Sequence, residues 1–195
     1  MLSVRNACLE RYFQPVFKPV SFDLGPSGVV VLTGDNGSGK TTLIRMLAGL
    51  IRPSSGAIES SARSVAYVGH SLGIKDDLDV FENLEFSCRL AGGHVALPLV
   101  ERIGLRHVAT QLARTLSAGQ RKRCALGRLL ARPADLWLLD EPYSSLDQDG
   151  CRLVDEILQV HVSAGGACVM ATHGSLRPSD VEYQVLNLEP GQEAA

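Results

Sequence analysis

Gly34-Asp35-Asn36-Gly37-Ser38-Gly39-Lys40-Thr41 carries the strongest chemical signal in the chain, with the spacing G-x-x-x-x-G-K-[ST]. Glycine tolerates the backbone angles that curl a short loop until successive N–H groups point inward. Such a nest of donors suits phosphate oxygens. Lys40 adds a point charge for β- and γ-phosphates, and the Thr41 hydroxyl is a hard oxygen ligand of the kind Mg²⁺ takes. The alternative is an accidental glycine-rich turn, and the setting argues against it. The apolar run Val29-Val30-Val31-Leu32 precedes the loop and an amphipathic stretch follows, so an anion there also meets the positive end of a helix.

A second group of candidates lies further along. Leu136-Trp137-Leu138-Leu139-Asp140-Glu141 closes an apolar run with two carboxylates. The carboxyl end of a buried strand is where ligands of open α/β sheets bind. Asp140 there would hold Mg²⁺, and Glu141, pointing elsewhere, would polarise a water in line with a γ-phosphate. Alone, this is more simply an acidic loop after a core strand, but the phosphate loop in the same chain reverses that preference. Leu116-Ser117-Ala118-Gly119-Gln120 opens another helical stretch, where a hydroxyl and free N–H groups make a second anion site. One phosphate loop suffices for one nucleotide, so this second site is best explained as serving a nucleotide on another chain.

These residues need elements to hold them. Short apolar runs predict strands at Val29 to Leu32, Ser64 to Val68, Leu136 to Leu139, Ala167 to Thr172 and Val185 to Leu188. A helix is expected from Thr41 to Leu50, with Leu43, Leu47 and Leu50 on one stripe. Asp79 and Glu82 have capping-box spacing and open a helix toward Leu90, stopped by Ala91-Gly92-Gly93. Further helices are expected from Leu97 to about Ile103, from a Ser117 cap to just before Pro133, and from Leu153 to His161. Fully apolar strands alternating with helices indicate an α/β domain whose mainly parallel sheet is covered on both faces. Residues 75–132 lack strands and read as a helical insertion within a single domain spanning residues 1–195.

Composition excludes other classes. With 19 basic against 21 acidic residues the net charge is −2, which gives no general attraction to nucleic acid or anionic lipid. The longest apolar run, Ala167 to Ala171, falls far short of the ~20 residues of a membrane-spanning helix. The start MLSVRNACLERYF has no basic segment followed by an apolar one, so no secretory signal is expected. Cys8, Cys88, Cys124, Cys151 and Cys168 fit no disulfide framework or zinc pattern and read as reduced, mostly buried thiols. Arg121-Lys122-Arg123 reads as a solvated helix face rather than a nucleic-acid patch. His94, His107 and His161 read as structural or solvated rather than as heme ligands, with no C-x-x-C-H motif present, and Trp137 reads as core.

Taken in order, GDNGSGKT, LSAGQ, LWLLDE, SSLD and THG resemble the ATP-binding subunit of ABC transporters, from Leu2 to about Leu188. The resemblance implies the ABC ATPase fold: a P-loop α/β domain with a mainly parallel sheet, a helical insertion subdomain and N-terminal antiparallel strands. A narrower resemblance is to the heme exporter ATPase family, the ATP-binding subunit of the cytochrome c maturation complex. It rests on Tyr67-Val-Gly-His-Ser-Leu-Gly-Ile-Lys75, Glu82-Asn83-Leu84, LSAGQ in place of LSGGQ, and the short length.

Roles follow from the resemblance residue by residue. The run from Gly34 through Thr41 and Thr42 would bind ATP, with Tyr12 stacked on its adenine. Asp140 would be the Mg²⁺-site acid with Thr41, and Glu141 the catalytic carboxylate, assisted by Lys40 and by His173, which holds the attacking water. Ser117, Ala118, Gly119 and Gln120 would close on the γ-phosphate of a partner copy, and Ser145-Leu146-Asp147 would cross the interface. Ala118 replaces a glycine of the usual pattern. His70 stands where most relatives have a Gln that senses Mg²⁺ and the transport subunits. The implied ligands are ATP and Mg²⁺. The implied partners are a second copy packed head to tail and integral membrane transporter subunits, contacted near His70 to Asp79, at the cytoplasmic face of a bacterial inner membrane. No nucleic acid is expected. Competing readings are an ATPase driving another small-molecule transporter, and a non-transport ABC ATPase acting on nucleic acid or ribosomes. The latter class usually carries tandem domains or a long coiled coil, and neither is visible here. A GTPase or kinase is the third rival, but the chain has no [NT]-K-x-D guanine motif.

Overall fold

Alternation inside three apolar strands sets the layers of the molecule. In the computed structural model, which describes residues 1–90, 94, 97–173 and 177–191, these are β5 (Val29–Thr33), β8 (Leu136–Asp140) and β9 (Ala167–Ala171). With β7 (Val65–Val68) and β10 (Gln184–Asn187) they form a parallel sheet in the order β10-β5-β9-β8-β7. Successive side chains point to opposite faces. Val29, Val31, Trp137, Leu139, Cys168 and Met170 therefore enter one core cluster. Val30, Leu32, Leu136, Leu138, Val169 and Ala171 enter the other.

Helices cover the first face. They are α2 (Val80–Leu90), α3 (Leu97–Arg102), α4 (Ala118–Ala131) and α5 (Gln148–Ser163). The second face carries α1 (Lys40–Leu47) and an antiparallel sheet of β4 (Val20–Leu24), β1 (Leu2–Cys8) and β6 (Ser55–Ser60), in that order. A two-residue pair, β2 (Glu10–Arg11) with β3 (Gln14–Pro15), projects near the N-terminus. Between residues 75 and 132 the described residues form helices and turns and no strand.

Local chemistry accounts for several boundaries. The N–H of Glu82 donates to Asp79 at 2.8 Å and the N–H of Asp79 to Glu82 at 2.9 Å, the reciprocal capping box that starts α2. The expected stop at residues 91–93 lies outside the described residues. Helix α1 ends at Leu47, and Leu50 stands exposed beyond it instead of continuing the apolar stripe. Helix α5 starts at Gln148 because Asp147 caps it by accepting from the N–H of Gly150 at 2.8 Å, several residues before its apolar pattern begins. All five thiols are free, and burial pushes that of Cys124 up to about 11.

The expected solvated face at Arg121-Lys122-Arg123 is incorrect. Arg121 pairs with Asp76 at 2.6 Å, Arg123 pairs with Asp147 at 2.5 Å, and Lys122 is only 4% exposed. The physical reason is that α4 is packed on several sides, against α2, α3, α5 and β7, and has no fully solvated face at this turn.

Trp137 is core, as its strand position predicts, and its ring stacks on His161 with centroids 3.9 Å apart. His161 Nε2 donates to the carbonyl of Ala167 at 3.0 Å. Gly166 is required beside it, since a Cβ there would lie 2.1 Å from the His161 ring. Burial lowers the His161 pKa, more than the Ala167 carbonyl and the charge of Asp135 raise it. A depressed histidine stabilises the fold in its neutral form. That contribution is present above the unfolded-state value of about 6.5 and declines as pH falls below it, because the unfolded chain takes up the proton first. Urea unfolding is therefore expected to show stability falling from pH 7 to pH 5. His161→Phe, which keeps a stacked ring but cannot titrate, should flatten that slope; an equal slope in both proteins would remove His161 as the cause.

Candidate functional site

Strand register brings the separated motifs to one edge. Leu32 of β5 and Asp140 of β8 both pair with Ala171 of β9, Val68 of β7 pairs with Leu139, and Thr33 pairs with Asn187 of β10. In a parallel sheet all carboxyl ends lie together, so Gly34, Asp140 with Glu141, Thr172 with His173, and Gly69 with His70 emerge along the same border.

The loop from Gly34 to Gly39 has the left-handed backbone its glycines were expected to allow, with φ of 133° at Gly34 and 95° at Gly39. At Gly34 a Cβ would come within 2.5 Å of the Leu188 carbonyl, so no larger residue fits. Gly39 caps α1 without any side-chain bond, and the first turn of α1 holds no acidic residue. The N–H groups that open the helix are thus left for an anion. Lys40 is buried, and its ammonium donates to the carbonyls of Gly34 at 2.6 Å and Asp35 at 2.8 Å, which holds the charge inside the curl. The Ser38 hydroxyl is buried there with no partner among the described residues. Asp35, Asn36 and Gly37 are exposed, and Thr42 is half-buried in the first turn of α1.

Asp140 is buried at the end of β8. The Thr41 hydroxyl donates to its Oδ1 at 3.1 Å, while Oδ2 is buried with no partner among the described residues. Burial, and then the charge of Glu141, raise its pKa against the Thr41 hydrogen bond and the charges of Arg45 and His70. A carboxylate oxygen left without a donor in such a place fits a divalent cation. No cluster of three or more His, Cys, Asp or Glu side chains occurs among the described residues, so the protein would supply few ligands and leave the rest to phosphate and water, as suits Mg²⁺. Glu141 is half-buried and has a left-handed φ of 52°. Its N–H donates to Ala171 at 2.9 Å, and its carbonyl accepts from the Ser144 hydroxyl at 2.9 Å. A non-glycine residue held in this region is strained and persists only where its surroundings impose it.

Ser117 and Gln120 form a capping box on α4: the Ser117 N–H donates to Gln120 at 2.9 Å, and the Gln120 N–H to the Ser117 hydroxyl at 3.2 Å. These bonds occupy two donors expected from the sequence to be free; Ala118 and Gly119 keep theirs. Gly119 lies so close to the Ser145 carbonyl that a Cβ would be 2.8 Å from it. Arg123 holds Asp147, whose carboxyl is lowered by the Gly150 N–H and then by Arg123. Ser117 to Gln120, Arg123, Ser145 and Asp147 line a cleft of about 570 Å³ with no residue of the phosphate loop in its wall.

The remaining candidates are less engaged. His173 is exposed two residues past β9, and the following glycine of THG lies outside the described residues. His70 is exposed after β7; it makes no hydrogen bond to Thr41 or Asp140, though its charge reaches Asp140. Tyr12 and Phe13 are both fully exposed at the β2–β3 turn, with φ of 53° and 64°, so two aromatic rings, not one, stand at that tip. Sequence reasoning missed Lys122 and Arg123. A signal existed for Lys122: with Ala125, Leu126 and Leu129 it falls at i, i+3, i+4, i+7, the buried stripe of α4.

A glycine loop around the buried Lys40 ammonium, followed by a helix whose Thr41 bonds the buried Asp140 at the end of a parallel strand, has the make-up of the P-loop nucleoside triphosphatase class. The ABC transporter family model matches residues 17–144. The Cytochrome c biogenesis ATP-binding export protein CcmA of Xanthomonas axonopodis pv. citri is 42% identical, over 97% of this chain and 94% of its own. That of Paracoccus denitrificans is 43% identical, over 97% and 90%. Among solved structures, an ABC transporter ATP-binding protein from Pyrococcus furiosus superposes with a TM-score of 0.82 at 22% identity, over 96% of both chains. The chain belongs to the ABC transporter family and is an ABC-type ATPase. The parallel sheet, antiparallel strands and helices are the fold that the sequence resemblance implied.

Proposed function

We propose that the chain is the ATPase of an exporter in cytochrome c biogenesis, of the heme exporter class, working as a head-to-tail pair on ATP and Mg²⁺. Identity above 40% to export proteins of that system supports the biological setting. The observation that carries the paired reading is the separation of two anion-ready sites on one chain: the Ser117 cleft shares no lining residue with the phosphate loop. A nucleotide cradled by one copy is then covered by Ser117, Ala118, Gly119 and Gln120 of the other, with Asp147 at the seam.

Within one site, the loop N–H groups and Lys40 hold the β- and γ-phosphates, and Tyr12 at its exposed turn meets the base. Mg²⁺, held by Thr41 and Asp140 and sensed by His70, would neutralise developing phosphate charge. Glu141 takes the proton of the attacking water while His173 fixes that water against the γ-phosphate. Loss of the γ-phosphate removes the bridge between copies, and the pair opens.

No helix among the described residues is long and apolar enough to cross a membrane. Integral membrane subunits at the cytoplasmic face of the inner membrane are therefore assigned the reading of this motion. The surface offered is the segment from His70 to Asp79, held in place by Arg128, which donates to the carbonyls of Leu72 and Gly73, and by Asn83, which bonds Lys75, Leu78 and Asp79. Phe86 and Leu90 stand exposed beside it on α2, with Lys75 over the Phe86 ring. Size-exclusion chromatography with light scattering is expected to give a monomer without nucleotide and a dimer with ATP when hydrolysis is blocked by EDTA. A monomer that turns over ATP at a rate independent of protein concentration would overturn the paired reading.

A further inference from the structure

Two stretches of chain leave neighbouring strands at the same edge of the sheet. One follows β8 and carries Glu141, and the other follows β9 and carries His173. A single side chain of α5 meets both. Asp155 Oδ1 accepts from the Tyr143 phenol, just past Glu141, at 2.6 Å. Its Oδ2 lies 2.9 Å from the Ser179 hydroxyl, on the stretch that follows His173. That hydroxyl is also 2.8 Å from the Asp180 carboxylate, so its one proton serves two acceptors. The starts of the two stretches are tied as well. The Glu141 N–H donates to the Ala171 carbonyl at 2.9 Å, and Arg177 donates to the Thr172 hydroxyl at 2.7 Å. Bonds and chain thus close a ring from Glu141 through Tyr143, Asp155, Ser179, Arg177 and Thr172 back to Ala171. Core packing does not require this arrangement. Tyr143 is 4% exposed, in the cluster that also holds Leu153, Val154 and Ile157 of α5. A phenylalanine ring would fill that place without a hydroxyl that needs an acceptor. Burial, and then the bond to Asp155, raise the phenol pKa, so at neutral pH Tyr143 is the donor and Asp155 the acceptor.

We propose that Asp155 is a positioning residue for hydrolysis: by bonding Tyr143 and Ser179 together, it fixes the stretch that carries Glu141 relative to the stretch that carries His173. This rests on the reading of Glu141 as the base and of His173 as the residue that holds the attacking water. Those two side chains share one water molecule, so a displacement on the order of 1 Å between them slows cleavage. No residue of the ring belongs to the phosphate loop, and ATP binding is left as it is.

The test is steady-state ATP turnover of the full chain, expressed per nucleotide site counted by calorimetric titration with AMP-PNP, so that unfolded protein does not enter. Asp155→Ala is expected to lower kcat about tenfold, with KM for ATP within about twofold of wild type and ATP-driven pairing in EDTA unchanged. Asp155→Asn keeps an acceptor for Tyr143 and can donate its amide to the Ser179 hydroxyl, so its kcat is expected to stay within about threefold of wild type. Tyr143→Phe keeps the ring and loses one arm of the tie; it should lower kcat about threefold or more, and adding it to Asp155→Ala should cost nothing further. A role in stability alone shifts urea unfolding and leaves turnover per site where it was. The proposal is overturned by folded Asp155→Ala with kcat within about twofold of wild type, by loss of pairing in that variant, or by Asp155→Asn falling as far as Asp155→Ala, which would assign the effect to charge. If circular dichroism shows that Asp155→Ala does not fold, Tyr143→Phe combined with Ser179→Ala carries the same expectation, and an unchanged kcat there overturns the proposal in the same way. Wild-type turnover in Glu141→Gln or His173→Ala would instead remove the reading on which the proposal rests.

Discussion

Glu141→Gln is expected to lower ATP turnover by about a hundredfold or more while ATP binding stays within a few-fold of wild type. The carboxylate sits one residue past Asp140, on a backbone held left-handed by the Ala171 carbonyl and by the Ser144 hydroxyl. Gln has the same shape and can occupy the same strained position, so the fold and the phosphate loop are left as they are. What it lacks is the capacity to take a proton from water. With binding intact and cleavage blocked, the γ-phosphate bridge persists, and the variant should accumulate as a dimer in ATP and Mg²⁺. Phosphate release measures the first effect and light scattering the second. Turnover within twofold of wild type would exclude Glu141 as the base.

Ser117→Arg is expected to abolish ATP-driven pairing and to lower turnover at least tenfold, with nucleotide affinity of the monomer unchanged. The substitution places a long charged side chain in the cleft that Ser117 lines with Gly104, Arg123 and Asp147, where the partner's nucleotide is proposed to enter. It also removes the capping box, worth about 1 kcal/mol of helix stability. Ser117→Ala separates the two effects, since it loses the cap without adding bulk and should still dimerise. Affinity for nucleotide in the monomer is the internal control, because the phosphate loop and this cleft share no residue. Unaltered dimerisation of Ser117→Arg would mean that the cleft does not face a partner.

Resemblance and local chemistry made part of this architecture legible. The strands β5, β8 and β9 were readable because a strand buried on both faces is apolar at every position. β6 and β1 were not legible from residues alone: Ser55–Ser60 is mostly exposed, and Leu2–Cys8 contains a register shift that breaks its alternation. The burial of Lys122 runs against its composition, because three successive basic residues suggest solvent, and periodicity has to outrank composition to show otherwise. The N–H groups at Ser117 differ from expectation for a related reason, as a capping box consumes donors that a bare helix start would leave open.

By itself the sequence determined the chemistry that acts over a few residues: the glycine loop with Lys40 and Thr41, the acids Asp140 and Glu141 at the carboxyl end of β8, and the caps at Asp79 and Ser117. Each depends on spacing along the chain, and spacing is what a sequence states. Tertiary structure decided what depends on distance through space. It set the parallel register that brings Thr41 within 3.1 Å of Asp140, the seclusion of the Ser117 cleft from the phosphate loop, and the burial of Lys122 on α4. Those contacts join residues far apart in the chain, and their geometry follows from the packing of helices on both faces of one sheet, which no local pattern encodes.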